Sequence, residues 1–197
     1  MTNQQGQTAN QQEQTASRVK LSILVKTALL CAFVTVATSV IRIPTPTFGY
    51  IHLGDAMVLL CAFLLDAPYA FFAAGIGSAL SDLFGGYLAF VPATFLIKGA
   101  VALTAWFVYH KLKEKRLASI PAALLGEVVM VGGYFVFEIF LTAFGNGGFT
   151  SSTLYAGLLS SLSGVPFNLV QAATGIVLAA LLLPVLKKIS RASSKPV

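Results

Sequence analysis

The chain has 197 residues, of which 56% are hydrophobic and only 10% are charged, and its mean hydropathy is +0.81. Soluble domains carry about 25% charged residues, so this composition excludes a soluble globular protein and indicates an integral membrane protein. The net charge of +6 does not indicate nucleic-acid binding, because the basic residues cluster beside apolar segments, where they set membrane topology. At about 20 residues per span, the length allows roughly five to seven transmembrane helices in one bundle.

Two polar tails flank the apolar part of the chain. Residues 1–18 are rich in Gln, Asn and Thr, a composition that cannot bury a core and predicts a disordered cytoplasmic tail. Residues 189–197 are basic and predict a second, solvated tail. The segment between them, 19–188, is predicted to be one transmembrane substrate-binding domain.

The first apolar span, at about 19–41, carries small residues at a spacing of four. Ala28 and Ala32 form an Ala-x-x-x-Ala pair, with Thr35 and Ser39 predicted on roughly the same side. Small residues at this spacing form a groove into which another helix can dock. Packing inside the bundle would explain the same pattern.

The apolar segments predict an all-α fold of six transmembrane helices, at about 19–41, 53–65, 69–84, 91–109, 120–144 and 165–186. Two prolines forbid a continuing helix between the first two spans, and the aromatic residues Phe48 and Tyr50 predict that this loop packs over the bundle. A second long loop, rich in Gly, Ser and Thr, is predicted at 145–163.

Three charged residues, Asp55, Asp82 and Lys98, lie within or at the ends of these apolar segments. A charge near the centre of a bilayer costs about 2.5–3.5 kcal/mol on insertion scales, so Lys98 is predicted to have an acidic partner. Asp82 is the first choice, since both residues fall on the same side of the membrane, and Asp55 is the competing partner. Asp55 also opens the second span, where a carboxylate is predicted to satisfy free backbone N–H groups.

The basic residues predict the orientation of the bundle. With six spans, one side of the membrane holds both termini and the connection at 110–116, and the opposite side holds only Arg42 among the basic loop residues. Because Lys and Arg are enriched in cytoplasmic loops, both termini are predicted to be cytoplasmic. The loops at 42–52 and 145–163 then face outside.

Polar side chains from the third to sixth spans converge in the outer half of this arrangement, namely Asp82, Lys98, Glu138, Asn168 and Gln171. Glu127, Tyr134 and Glu138 fall on one stripe of the fifth span, and Asn168 and Gln171 share a face of the sixth. With the aromatic loop residues they predict a cavity open to the outside, whose substrate-binding residues are Phe48, Tyr50, Tyr134, Glu138, Asn168 and Gln171. Aromatic rings can sandwich a flat heterocycle, while amides and a carboxylate orient its polar groups.

The block at 52–99 resembles the substrate-binding S components of energy-coupling factor (ECF) vitamin transporters. The resemblance rests on His52-Leu53-Gly54-Asp55-Ala56, Gly75-x-Gly-Ser-x-Leu-x-Asp82, Gly85-Gly86-Tyr87, Pro92-Ala-Thr94 and Lys98-Gly99. The most similar group is the riboflavin-type one, which includes binders of pyridoxine, hydroxymethylpyrimidine and cobalamin. The resemblance extends over about 22–186.

This resemblance implies a function and a set of partners. It implies six helices with cytoplasmic termini in a bacterial plasma membrane, and a vitamin captured from outside beneath the loop that follows the first helix. It also implies docking of Ala28 and Ala32 on a transmembrane coupling subunit that holds two ATPases. It implies no catalytic site and no cofactor, and Asp55, Asp82 and Lys98 are expected to be scaffold residues that do not set specificity.

The residues leave the vitamin open. A carboxylate facing the ligand suits a neutral or cationic ring with hydroxyls, so a pyridoxine-like (B6) vitamin is the first choice, and cobalamin, hydroxymethylpyrimidine and riboflavin are the alternatives. A second class of function is a stand-alone secondary transporter with Glu127 or Glu138 as the proton site. A membrane enzyme or metal site is not expected, since the two histidines, His52 and His110, are predicted on opposite sides of the membrane.

Overall fold

A computed structural model describes residues 2–45, 49–112, 115 and 117–193, with side chains from 17 to 188 within those ranges. The described residues form six α-helices and one short antiparallel hairpin, which pairs Ile43 with Ile51 and Pro44 with Tyr50. The elements, in chain order, are α1 (Thr2–Val40), β1 (Ile43–Pro44), β2 (Tyr50–Ile51), α2 (Asp55–Leu64), α3 (Ala67–Gly85), α4 (Val91–Lys111), α5 (Ser119–Gly145) and α6 (Ser151–Ser193). The predicted all-α class and six helices agree with this architecture.

The short helix α2 lies at the centre of the bundle. Eight of its ten residues are buried, and it contacts each of the other five helices. At 1.5 Å per residue it is about 15 Å long, half the thickness of the hydrocarbon core. Because α2 has protein on all sides, its polar end residues must find partners within the bundle.

Helix α1 packs against α3 through a very close approach at Gly77. A Cβ at this position would lie 2.6 Å from the carbonyl oxygen of Cys31, so only glycine permits the contact. The hydroxyl of Thr35 donates a 2.9 Å hydrogen bond to the Gly77 carbonyl across the same interface. The side of α1 that faces the bundle therefore includes Cys31, Val34 and Thr35.

The backbone of α1 begins at Thr2, well before the apolar span. The segment predicted as a disordered tail therefore continues the first helix, and it contains no proline that would break it. The division of the chain into a central domain and two tails otherwise stays a prediction.

The predicted loop at 145–163 is wrong over most of its length, because α6 already begins at Ser151 and continues through Pro166. Tyr155, Leu159 and Leu162 are exposed on this early part of the helix, where they can face lipid. A lipid-exposed segment must satisfy its own backbone hydrogen bonds, which favours helix despite the Gly and Ser content. A Cβ at Gly157 would meet the carbonyl oxygen of Ile139 at 2.5 Å, so this turn of α6 packs tightly on α5.

Four helical segments are long and apolar enough to cross a membrane, namely Ser17–Val40, Val91–Lys111, Ser119–Gly145 and Ser151–Lys188. Their surfaces expose large apolar side chains such as Leu21, Phe107, Val128 and Leu169, as expected of helices that contact lipid. The helices α2 and α3 do not meet these criteria. The six predicted helices are therefore present, and four of them are clear membrane spans.

Candidate functional site

A polar cavity opens at one end of the bundle, beneath the β1–β2 hairpin. Side chains from the hairpin loop and from α3, α4, α5 and α6 surround it: Thr45, Gly49, Tyr50, His52, Asp82, Phe90, Thr94, Tyr134, Glu138, Asn168 and Gln171. The space between its lining atoms is about 370 Å³ with the open mouth included, but the enclosed room for the centres of water molecules is about 30 Å³. Ligand pockets usually have about 300–1,000 Å³, so the enclosed space is smaller than a typical ligand site.

One wall of the cavity is acidic. The hydroxyl of Tyr50 donates a 2.7 Å hydrogen bond to Asp82 Oδ1, and Glu138 is 5% exposed on the facing helix α5. Burial, followed by the Asp82 carboxylate, raises the pKa of the Tyr50 phenol far above its usual range, so Tyr50 remains a donor. None of the described lining residues is Lys or Arg. The cavity therefore favours neutral or cationic groups over anions.

Two hydroxyl groups of the same cavity are hydrogen-bonded to each other. Thr94 Oγ1 and the Tyr134 hydroxyl are 3.0 Å apart, and this bond joins α4 to α5. Phe90 is buried at the start of α4, and its ring contacts that of Phe137 with centroids 5.2 Å apart. The aromatic rings of Tyr50, Phe90 and Tyr134 thus give the polar cavity apolar walls.

A buried ion pair lies behind Gln171, which lines the cavity. Lys98 Nζ forms a salt bridge with Asp55 Oδ1, and both side chains are completely buried. Gln171 Nε2 donates to Asp55 Oδ2 at 2.7 Å, while Gln171 Oε1 accepts the backbone N–H of His52 at 2.9 Å. These bonds tie α2, α4, α6 and the hairpin loop together next to the cavity.

This arrangement corrects two predictions. The partner of Lys98 is Asp55, the competing choice, while Asp82 accepts a hydrogen bond from Tyr50 instead. Asp55 does not cap α2 with its side chain, because its two carboxylate oxygens bind Lys98 and Gln171. A charged amine buried in the bundle stabilises the carboxylate more than backbone N–H groups would, so Asp55 turns inward.

Arg42 fastens the hairpin to α1 and α3. Its Nη2 donates to the carbonyl of Ser81 at 2.8 Å, to the Ser81 hydroxyl at 2.9 Å and to the Ser39 hydroxyl at 3.1 Å. The guanidinium carbon also lies 5.2 Å from the centre of the Tyr50 ring. Opening of the cavity by the hairpin would have to break these bonds or carry Arg42 along.

Five of the six residues predicted to bind substrate line the cavity: Tyr50, Tyr134, Glu138, Asn168 and Gln171. The sixth, Phe48, lies outside the described residues. The Gln171 amide is occupied by protein partners, whereas the Asn168 amide has no hydrogen bond to any described residue. Asn168 is therefore the amide that is free to bind a ligand.

The predicted set of substrate-binding residues left out other residues that line the cavity, chiefly His52, Asp82 and Thr94. His52 could have been predicted to line the cavity, because it stands two positions after Tyr50 in the same loop. Asp82 and Thr94 belong to the block at 52–99, which was expected to be scaffold only. Both residues nevertheless line the cavity.

Of the two candidate proton sites of the secondary-transporter alternative, Glu138 lines the cavity and Glu127 lies away from it. Glu127 is 2% exposed, and neither carboxylate oxygen has a hydrogen-bond partner among the described residues. It does not line the space beneath the hairpin. A charged carboxylate without partners is costly inside the bundle.

The alanine pair of α1 is exposed and takes no part in packing within the chain. Ala28 and Ala32 are both exposed, whereas Thr35 and Ser39 turn towards α3 and bond to Gly77 and Ser81. A rotation of about 100° per residue places all four residues within about 60° of one another, so they lie on roughly one side of α1 as predicted, although only the alanines are exposed. The two pairs differ in their position along the axis of α1: α3 contacts the turns that carry Thr35 and Ser39, and the outward patch is limited to the alanines and their apolar neighbours.

The chain matches a family model described as "ECF-type riboflavin transporter, S component" over residues 18–188. A Pyrococcus woesei protein described as "Uncharacterized protein in gap 3'region" is 34% identical over 134 residues, which are 67% of this chain and 86% of that protein. A solved structure described as "Structure and mechanism of the S component of a bacterial ECF transporter" has a similar fold. It is 20% identical with a TM-score of 0.59, over 89% of this chain and 99% of that one.

Proposed function

This chain belongs to the family of ECF-type riboflavin transporter S components, and we propose that it captures a B vitamin of the pyridoxine type. The ligand enters from outside the cell, at the end of the bundle that carries the β1–β2 hairpin. The chain delivers the vitamin through a coupling subunit driven by two ATPases, and catalyses no reaction itself. The location is the cytoplasmic membrane of the cell.

The observation that supports this ligand class is the acidic, aromatic cavity. Asp82 and Glu138 can accept hydrogen bonds from hydroxyl or N–H groups, and Asn168 offers both a donor and an acceptor. Aromatic side chains, including Tyr50 and Tyr134, supply flat apolar surface for a heterocycle. A small ring with several hydroxyls, such as pyridoxine, satisfies this set better than an anion.

Riboflavin is the second candidate, because the family model that the chain matches is described by that vitamin. Its isoalloxazine ring is larger and needs a wider opening of the hairpin than pyridoxine does. Hydroxymethylpyrimidine and cobalamin remain further candidates. Cobalamin demands the greatest expansion of a cavity whose enclosed room is now about 30 Å³.

Calorimetric titration of the purified chain with these four vitamins tests the ligand. We expect pyridoxine to bind, and we expect Glu138→Gln and Asn168→Ala each to weaken binding by about 1–3 kcal/mol through loss of a buried hydrogen bond. Ser163→Ala is the matched control on α6, because that hydroxyl is exposed and bonds within its own helix. Unchanged affinity in both cavity variants would move the site elsewhere, and binding of another vitamin alone would replace pyridoxine as the ligand.

We also propose that six helices cross or enter the membrane with both termini in the cytoplasm. The support is the charge distribution, since Lys111, Lys115 and Lys187 stand at the end of the bundle opposite the cavity. With Cys31 and Cys61 replaced by alanine, a cysteine introduced by Asn146→Cys should react with an impermeant thiol reagent from outside, and one from Lys115→Cys should not. Asn146 is the better outer position because the neighbouring Gly147 has φ +99°. The reverse labelling pattern would overturn the orientation.

A further inference from the structure

We propose that His52 contacts the ligand and selects it by donating a hydrogen bond from its Nε2–H to an acceptor atom of the vitamin. This inference rests on the proposed function and adds a specificity-determining residue to it. The acceptor would be an unprotonated ring nitrogen or a carbonyl or hydroxyl oxygen. His52 belongs to the block at 52–99, which was expected to be scaffold.

The hydrogen bonds of the His52 ring determine its tautomer. The backbone N–H of Gly54 donates to His52 Nδ1 at 3.0 Å, so the lone pair of that nitrogen is in use. A neutral imidazole has one acceptor nitrogen and one donor nitrogen. The proton must therefore lie on Nε2.

The His52 ring is also held neutral and in place. Burial lowers the pKa of His52 to about 3, with Lys98 acting in the same direction and Asp55 opposing it. The backbone N–H of His52 is fixed by Gln171 Oε1 at 2.9 Å, and Gln171 is fixed in turn by Asp55. A donor anchored at both its ring and its backbone loses little freedom when a ligand binds.

The remaining donor of the ring, the Nε2–H group, is accessible from the cavity. His52 is 8% exposed and lines the cavity. Among the described residues Nε2 has no hydrogen-bond acceptor, and it is not enclosed by protein as an unpartnered buried atom. The free surface of the ring therefore faces the cavity, where a bound molecule can accept the N–H.

This donor complements the acidic wall and sets the orientation of the ligand. Asp82 and Glu138 accept hydrogen bonds, so the vitamin must present donors to them and an acceptor to His52. A molecule with donors on every side would set two hydrogens against each other at His52, and a molecule with acceptors on every side would leave the carboxylate lone pairs unfilled. Such unmatched buried polar groups discriminate strongly between similar ligands.

Two substitutions distinguish the role of the Nδ1 acceptor from that of the Nε2 donor. In His52→Asn the side-chain oxygen can still accept the Gly54 N–H, but the side chain is too short to replace the Nε2 donor. In His52→Gln the longer amide can place an N–H near the lost Nε2. We expect pyridoxine affinity to fall by about tenfold or more in His52→Asn, and to stay within about threefold of the wild type in His52→Gln.

His110→Asn is the matched control, since this second histidine stacks on Trp106 at the far end of α4. We expect wild-type affinity in this variant and an unchanged melting temperature in His52→Asn. Equal affinity of the wild type and His52→Asn would overturn the role of His52 while leaving the proposed function intact. A loss of affinity in His52→Asn matched by an equal loss of stability would also overturn it, because the residue would then be structural.

A measurement on the unaltered chain does not depend on how the variants fold. With ¹⁵N-labelled histidine only two imidazole rings, those of His52 and His110, give signals, with two nitrogens in each ring. Addition of pyridoxine should shift the Nε2–H resonance of His52. The same resonance is followed in a second titration with riboflavin. An unshifted resonance with a bound vitamin contradicts the proposal, and absence of binding by every vitamin of the titration overturns the proposed function together with it.

Discussion

Lys98→Met is expected to destabilise the folded chain by about 3–5 kcal/mol, the usual effect of removing one partner of a buried ion pair. The substitution leaves the Asp55 carboxylate fully buried, with Gln171 as its remaining hydrogen-bond donor. Asp55→Asn should be similarly damaging, because it leaves the ammonium group of Lys98 without its counter-charge. Thermal unfolding in detergent, followed by the fluorescence of the single tryptophan, Trp106, measures both effects.

The double variant identifies the true partner. Lys98→Met with Asp55→Asn should be clearly milder than the sum of the two single changes, since no buried charge remains unpaired. Lys98→Met with Asp82→Asn is the matched control, and its two effects should add, because Asp82 bonds to Tyr50 instead. Additivity with Asp55, or strong coupling with Asp82, would show that the ion pair has been assigned to the wrong residue.

The largest expected effect on transport comes from the alanine pair of α1. Ala28→Leu and Ala32→Leu should fill the shallow outer groove, and overpacking an interface in this way typically costs about 1–3 kcal/mol per site. Copurification with the coupling subunit should therefore fall by about tenfold or more, the equivalent of 1.4 kcal/mol. Pyridoxine binding to the isolated chain should survive, because both alanines are exposed and do not pack inside it.

Ala180→Leu provides the control for this docking experiment. Ala180 is an exposed alanine on α6, so the same enlargement occurs on a different lipid-facing surface. Copurification should remain at the wild-type level in this variant. An equal loss in all three variants, or a loss of pyridoxine binding in the α1 variants, would show that the alanine pair is not a docking surface.

The sequence predicted the elements of the fold well where the signal lies within one helix, namely the periodicity of its side chains and the residues at its ends. The stripe from Glu127 to Glu138 correctly predicted an inward face of α5, since both carboxylates are buried. The fourth span was predicted to begin at about 91, and α4 begins at Val91 with Pro92 in its first turn. The end of α6 nearest the cavity was missed because its Gly and Ser content is typical of loops in water, whereas lipid favours a helix that satisfies its own backbone.

Contacts between helices were less predictable from the sequence. Asp55 and Asp82 both stand in positions from which they could reach Lys98, and only the central placement of α2 decides between them. In the same way, the spacing of Asn168 and Gln171 predicted a shared face but not their different roles. Gln171 is used up by Asp55 and His52, whereas Asn168 is left to the cavity. These differences depend on the relative rotation and depth of neighbouring helices, which the spacing along one helix does not specify.

Transport in proteoliposomes tests the central claim most directly. The chain would be reconstituted alone, or together with the coupling subunit and its two ATPases, and uptake of labelled pyridoxine and riboflavin would be followed with and without ATP. The account predicts that the chain alone binds its vitamin without moving it into the lumen, and that uptake requires the complete complex and ATP. Uptake by the chain alone, driven by a proton gradient and abolished by Glu127→Gln, would contradict the account and establish a secondary transporter.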